Sequence, residues 1–125
     1  MREKRKIVIV DDELEFAKVV KLRLENVGYK AIIALDTYLG MQNIVRNEPD
    51  LVILDLLMPA GGGFTLLDRI RNHPTTVNIP VVILTGKEVD DELRTKAYEY
   101  DVTEIVQKPY DPAKFVEKIM WMVPA

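Results

Sequence analysis

Cysteine is absent from all 125 residues, which excludes a disulfide framework, a thiolate metal centre and a cysteine nucleophile. A reducing, cytoplasmic setting suits such a chain. Histidine is almost as scarce. The single one, His73, lies beside Pro74 and takes no catalytic or metal role. Long hydrophobic runs are missing too: every apolar stretch is short and bounded by charges or turn residues, so no segment reads as a membrane span. The start, Arg2-Glu3-Lys4-Arg5-Lys6 ahead of a short apolar run, lacks the pattern of a signal peptide and reads as a solvated lead into a first strand. Positive charge is not in excess. A formal net charge of -3 argues against an electrostatically driven nucleic-acid binder. Repeats, low-complexity tracts and linkers are also lacking. What remains is ordinary soluble composition, 48% apolar and 30% charged, in a chain long enough for one core and too short for a second catalytic lobe. One domain over residues 1–125 is therefore expected, with no output domain in the chain.

Four apolar runs, Ile7–Val10, Ala31–Leu35, Leu51–Leu54 and Val81–Leu84, alternate with helix-length amphipathic segments, the pattern of βαβ units. The runs are continuously apolar, which suits strands of a parallel sheet buried on both faces. The first helix is expected from near Glu13 to the stop at Gly28, with Phe16, Val20, Leu24 and Val27 inward. A second follows an Asp36 cap, presents Tyr38, Met41 and Val45 inward and ends before Pro49. The third follows Gly63 with Phe64, Leu67 and Ile70 and stops near His73 and Pro74. The fourth, from Asp91 to Tyr100, has the narrowest apolar stripe: Val89, Leu93, Ala97 and Tyr100. A fifth strand, Glu104–Gln107, leads to a helix capped by Asp111, opened by Pro112 and carrying Phe115, Ile119 and Met122. The fold class is α/β, with five parallel strands and helices on both faces.

Asp11, Asp12 and Glu13 directly follow the first strand and Asp55 the third, so both acidic groups fall at carboxyl ends of parallel strands, where ligands of open α/β sheets bind. In the flavodoxin-like order 2-1-3-4-5 those two strands flank the topological switch point, and the acids face one crevice. Asp12 or Glu13 alone would read as a helix cap. Grouped carboxylates instead call for a hard divalent cation with oxygen ligands, magnesium above all. Thr85 ends the fourth strand and Lys108 follows the fifth, adding a hydroxyl and an ammonium to the same rim. Nucleophilic carboxylate, metal, hydroxyl and cation are together the parts of phosphoryl transfer.

These residues carry a family resemblance. Val10-Asp11-Asp12-Glu13, Pro49 to Asp55, Met58-Pro59 with Gly63, Leu84-Thr85-Gly86 and Lys108-Pro109, in this order, resemble the receiver domain of two-component response regulators across essentially the whole chain. The resemblance implies a flavodoxin-like (βα)5 fold and transfer of a phosphoryl group from a phosphohistidine of a sensor histidine kinase, or from a phosphotransfer protein, onto Asp55. It implies magnesium, or manganese in its place, held by Asp12, Asp55 and the backbone carbonyl of Leu57, with Asp11 reaching it through a water. Lys108 and Thr85 would meet phosphoryl oxygens, and the Lys108-Pro109 peptide would be cis. Such a domain is not an enzyme acting on other substrates; it catalyses only its own phosphorylation and dephosphorylation. Thr85 moving inward would shift the face made by the fourth helix, fifth strand and fifth helix, which would serve a target protein, an output domain or a homodimer.

The sequence departs from the family pattern at several points. Ile105 stands where many receivers carry the aromatic that swings with the threonine, so the usual readout is missing. Asp101 replaces a common glycine at a position requiring a left-handed backbone. Gly61, Gly62 and Gly63 read as a flexible loop beside Asp55, without the Lys-Ser or Lys-Thr of a P-loop. Leu57 and Lys87 hold the positions that influence loss of the phosphoryl group. Trp121 falls off the buried stripe of the last helix, as a partner anchor or as packing over a helix edge. Two other classes carry part of the pattern. A haloacid dehalogenase-like phosphatase would use Asp11 as nucleophile but leaves the Met58-Pro59 pair unexplained. A non-phosphorylated interaction module would explain Ile105 and Asp101 but not the crowded polar rim.

Overall fold

The computed structural model describes residues 3–58, 62–108 and 110–125. Five strands and five helices alternate: β1 Lys6–Val10, α1 Leu14–Asn26, β2 Lys30–Ala34, α2 Thr37–Asn47, β3 Leu51–Leu54, α3 Gly62–Arg71, β4 Val81–Thr85, α4 Asp91–Glu99, β5 Glu104–Gln107 and α5 Pro112–Met122. All strand pairs are parallel and the sheet order is β2-β1-β3-β4-β5, the flavodoxin-like arrangement expected from the sequence.

Strand side chains alternate faces, and both faces are buried. Val8, Val10, Val52, Leu54, Val81 and Ile83 pack with Ile44, Leu66, Leu67, Ile70, Leu93 and Ala97 of α2, α3 and α4. Ile7, Ile9, Leu51, Ile53, Val82 and Leu84 pack with Ala17, Val20, Leu24, Phe115 and Ile119 of α1 and α5. This two-sided burial explains the continuous apolar runs in the sequence.

Local signals set the helix ends. The side chains of Asp36 and Asp90 accept from the N–H groups of Leu39 and Leu93 at 2.7 and 2.8 Å, and Asp111 accepts from Ala113 and Lys114 ahead of Pro112 in the first turn of α5. Each satisfies an otherwise orphaned helical donor. Gly28 ends α1 at φ 108, and Asp101 adopts the left-handed φ of 55 that its place in the pattern requires. Glu48 does the same at φ 46 after α2, with no signal in the sequence.

Three orientations differ from the sequence reading. On α2 the inward residues are Gly40 and Ile44, with Met41 partly buried, while Tyr38 is 64% exposed and Val45 is also exposed. The helix is rotated because Gly40 allows it to lie on β1; a Cβ there would stand 3.0 Å from Val10 Cγ1 and 3.3 Å from Leu66 Cδ2. Val27, in the C-cap of α1, is exposed, and Ala17 takes a place in the buried stripe instead. Gly62 and Gly63 are not loop residues: they begin α3, with Gly63 buried. Gly61 lies outside the described residues.

The far end of the molecule is tied together by Arg71. From the end of α3 its guanidinium donates to the carbonyls of Tyr100 (2.7 Å), Ile79 (2.7 Å), Val77 (3.0 Å) and Asp101 (3.3 Å). One planar fork thus holds the C-terminal end of α4 and the approach to β4.

Candidate functional site

Register brings the acids together. Val10 pairs with Leu54 across β1 and β3, so the next residues, Asp11 and Asp55, leave the sheet side by side; the Asp55 N–H donates to the Val10 carbonyl at 3.0 Å. Both side chains are nearly closed off, at 2% and 3% exposed. One oxygen of each is held by its own turn: Asp11 Oδ1 accepts from Glu13 N–H at 2.9 Å, and Asp55 Oδ1 accepts from Leu57 N–H at 3.0 Å. This Asx-type bonding aims each second oxygen at a common point.

Lys108 occupies that point. Its Nζ lies 3.0 Å from Asp11 Oδ2, 3.4 Å from Asp55 Oδ2 and 3.4 Å from Glu13 Oε1, with the side chain 12% exposed. The backbone that delivers it is fixed by β4: Lys108 N–H donates to the Thr85 carbonyl at 2.7 Å. Thr85 is fully buried, and its Oγ1 accepts from Lys87 N–H at 3.2 Å, leaving its hydroxyl proton to donate. Burial by itself would lower the Lys108 pKa, but the hydrogen bond to Asp11 and the charges of Asp11, Asp55 and Glu13 outweigh it and raise the value. Burial pushes the Asp11 carboxyl above its ordinary range, against the Glu13 N–H and Lys108, which pull it down; the Asp55 charge adds to the rise.

Exposed Asp12 completes the cluster: one carboxylate oxygen from each of Asp11, Asp12 and Asp55 lies within 4.8 Å of the others. Four carboxylates, counting Glu13, thus gather at this edge, and three of them, Asp11, Asp55 and Glu13, contact the Lys108 ammonium. An all-oxygen, strongly negative donor set of this size fits a hard divalent cation such as magnesium. Neither Asp12 nor Glu13 caps α1 with its side chain; Glu13 occupies the cap position without a side-chain cap bond, so the plain capping explanation does not account for these acids.

Every candidate side chain from the sequence, Asp11, Asp12, Asp55, Thr85 and Lys108, therefore lies at the carboxyl edge of β1, β3, β4 and β5. Leu57 is in the Asp55 turn, its side chain exposed. The cis peptide expected at Pro109 lies outside the described residues. Ile105 is buried, pairs with Ile83 and belongs to the core cluster that contains Leu93 and Ala97 of α4; it packs as strand interior. Trp121 projects from α5, 84% exposed. The apolar groove of about 410 Å³ lined by Tyr38, Met41, Val45, Arg46 and Arg69 contains none of the rim residues.

The sequence reading missed two features. Glu13, at the N-cap position of α1, turns its side chain to the ion cluster and not to the helix, and the Phe16 ring lies under Lys108, with Nζ 4.0 Å from its centroid. The available signal was an aromatic one helical turn beyond the acidic group, matched by Tyr110 just beyond the lysine. The structure adds a third: Gly63 packs against the Asp55 turn so closely that a Cβ would stand 2.8 Å from Leu56 Cα and 2.9 Å from the Asp55 carbonyl oxygen.

Fold and rim together define a doubly wound α/β domain whose switch-point crevice is lined with oxygen donors and closed by one lysine. A family model described as response regulator receiver domain matches residues 7–120. The chain belongs to that family, the receiver domains of two-component response regulators. Among curated relatives, the phosphate regulon transcriptional regulatory protein PhoB of Pseudomonas aeruginosa is 32% identical over 113 residues, covering 90% of this chain and 49% of PhoB. The response regulator ArlR of Staphylococcus saprophyticus is 31% identical over 118 residues, 94% of this chain and 52% of ArlR. The chain thus spans about half the length of these relatives. Among solved structures, the Vibrio cholerae chemotaxis protein CheY4 superposes with a TM-score of 0.90 at 22% identity, covering 97% of this chain and all of CheY4, and supports the fold. A response regulator from Chloroflexus aurantiacus gives 0.87 at 29% identity over 98% of this chain and all of its own. Among the described residues, no helix is long and apolar enough to cross a membrane.

Proposed function

We propose that this receiver domain takes a phosphoryl group onto Asp55 from a phosphohistidine, of a sensor histidine kinase or a phosphotransfer protein, in a magnesium-dependent reaction, and passes the change to a partner or output domain. The observation that carries this reading is the convergence of Asp11 and Asp55, both buried, on the Lys108 ammonium at 3.0 and 3.4 Å. Asp11, Asp12 and Asp55, with the Leu57 carbonyl, would hold magnesium, or manganese in its place, and the ion would supply positive charge to the transferring phosphoryl oxygens.

The chain's own residues do the rest. With Oδ1 of Asp55 held by the Leu57 N–H, Oδ2 is the oxygen free to attack. A bond forms from that oxygen to phosphorus as the phosphorus–nitrogen bond of the donor breaks, and the electron pair returns to the imidazole nitrogen. Lys108 begins 3.4 Å from the attacking oxygen and moves from Asp11 toward the new phosphoryl oxygens. Thr85 donates its hydroxyl proton to one of them. That motion draws on the loop after β4, and α4, with only Leu93 and Ala97 buried, is the element that follows. Since Ile105 packs as strand interior, the signal leaves by displacement of α4 over an aliphatic surface and not by an aromatic swing. The α4, β5 and α5 face is accordingly the proposed contact for a target or a second copy. The domain catalyses only its own phosphorylation and dephosphorylation.

Acetyl phosphate with magnesium should add one phosphoryl group, mapped to Asp55 by peptide mass analysis and abolished in Asp55→Asn. Phosphorylation of Asp11 instead would overturn the assignment. Failure of beryllofluoride and magnesium to perturb the amides of Asp55, Thr85 and Lys108 would favour a non-phosphorylated interaction module.

A further inference from the structure

Lys108 carries the longest side chain on the rim, and three carboxylates compete for it. Two of them, Asp11 and Asp55, are buried; the third, Glu13, has a side chain 65% exposed and leads toward water. A flexible four-carbon stem would let the ammonium follow Glu13 outward. The Phe16 ring prevents this by presenting its face to the ammonium, with Nζ 4.0 Å from the centroid, and an aromatic face attracts a cation through its quadrupole. The ring is itself braced. Tyr110 meets it edge-on, centroids 5.6 Å apart at 75°, and Phe115 meets Tyr110 at 4.9 Å and 65°. Tyr110 lies two residues after Lys108 in the same connection to α5, so both halves of the cation–ring contact are fixed to each other.

We infer that Phe16 is a positioning residue: its ring seats the Lys108 ammonium beside Asp55 and sets how readily the lysine meets an incoming phosphoryl group. The inference rests on the phosphorylation reading above. Plain apolar packing is the competing role, since Phe16 also packs against the cluster containing Phe115 and Ile119. Fluorination separates the two. Replacing Phe16 by 4-fluoro-, 3,5-difluoro- and 3,4,5-trifluorophenylalanine keeps the shape and the apolar surface while draining the face of negative potential.

In the intact chain, the Lys108 Hε protons should resonate upfield through the ring current, and Phe16→Leu should abolish that shift. The rate of phosphorylation by acetyl phosphate should fall stepwise with fluorine count, reaching about fivefold to tenfold in Phe16→Leu, while the thermal midpoint of the fluorinated series stays constant. A rate indifferent to fluorine count, or unshifted Hε protons in the wild-type chain, overturns the inference alone. A wild-type chain that never carries a phosphoryl group on Asp55 overturns instead the reading beneath it, whatever the Hε shift.

Discussion

Replacing Arg71 by leucine should cost this domain a large share of its stability without touching the acidic rim. The guanidinium makes four bonds to carbonyls, but those to Val77 and Asp101 face solvent and can be replaced by water. The other two, to Tyr100 and Ile79, are both 2.7 Å and partly buried. A hydrogen bond from a charged donor contributes about 1.5–3 kcal/mol, and an abandoned buried carbonyl costs its desolvation as well. The expected loss is therefore roughly 3–5 kcal/mol, most of it from two bonds. For a chain of this length that lowers the thermal midpoint by roughly 10–20 °C. Arg71→Lys should recover less than half, because a single ammonium cannot span Tyr100 and Ile79 as the fork does. Urea denaturation gives the total. Hydrogen exchange gives the location: protection should fall first at the amides of Tyr100 and Asp101, whose own bonds run back to Ala97 and Tyr98, before it falls in the sheet. A loss below about 1 kcal/mol, or protection declining evenly over the fold, would refute the idea that this one side chain anchors the end of α4.

Other outcomes follow from the same geometry. Because burial raises the Asp11 pKa in the folded state, protonation favours folding, a gain complete below the ordinary value of 3.8 and lost as pH rises through the raised one. In chelator, the stability of Asp11→Asn should therefore rise relative to wild type as pH climbs through that window and keep that gain at neutral pH; a flat difference in paired urea titrations would contradict this. Saturating magnesium should shift the difference back toward wild type, which at about a hundredfold above its dissociation constant gains about 2.7 kcal/mol that the variant cannot match. Gly40→Ala should destabilise by about 1 kcal/mol in urea despite alanine's better helix propensity, because the added Cβ meets Val10 at 3.0 Å. Trp121→Ala should change stability by less than about 0.5 kcal/mol, and the indole should be quenched by iodide in the free chain, as its exposure requires.

Strands β1 to β4 were legible because burial in the sheet leaves an apolar run that no polar alternation interrupts, whereas β5, at the sheet edge with Glu104 and exposed Gln107, carries no such run. The rim was legible for a related reason: parallel strands in register end together, and residues just past those ends meet without any pairwise signal in the sequence. Helix rotation was harder to read. Tyr38 and Val45 are apolar at helical spacing, yet α2 turns them outward because the contact with β1 is made by Gly40, a residue with no hydrophobic signal at all. The same blind spot hid Gly62 and Gly63, whose value lies in the side chain they lack. Left-handed Glu48 had no marker, while Asp101 did. Glu13 and Phe16 were visible as residues but not as neighbours of Lys108, since that relation depends on where a lysine side chain comes to rest.

Gly63 shows what such a contact means for heredity. It donates no chemistry, but any side chain there would press on the Asp55 carbonyl and Leu56 Cα, at 2.9 and 2.8 Å from a Cβ, and tilt the peptide that carries the carboxylate. A screen of every substitution for signalling should therefore score Gly63 as severely as Asp55. Descendants of this sequence would keep that glycine as faithfully as the reactive acid, and a table of invariant positions would not tell the one that reacts from the one that makes room.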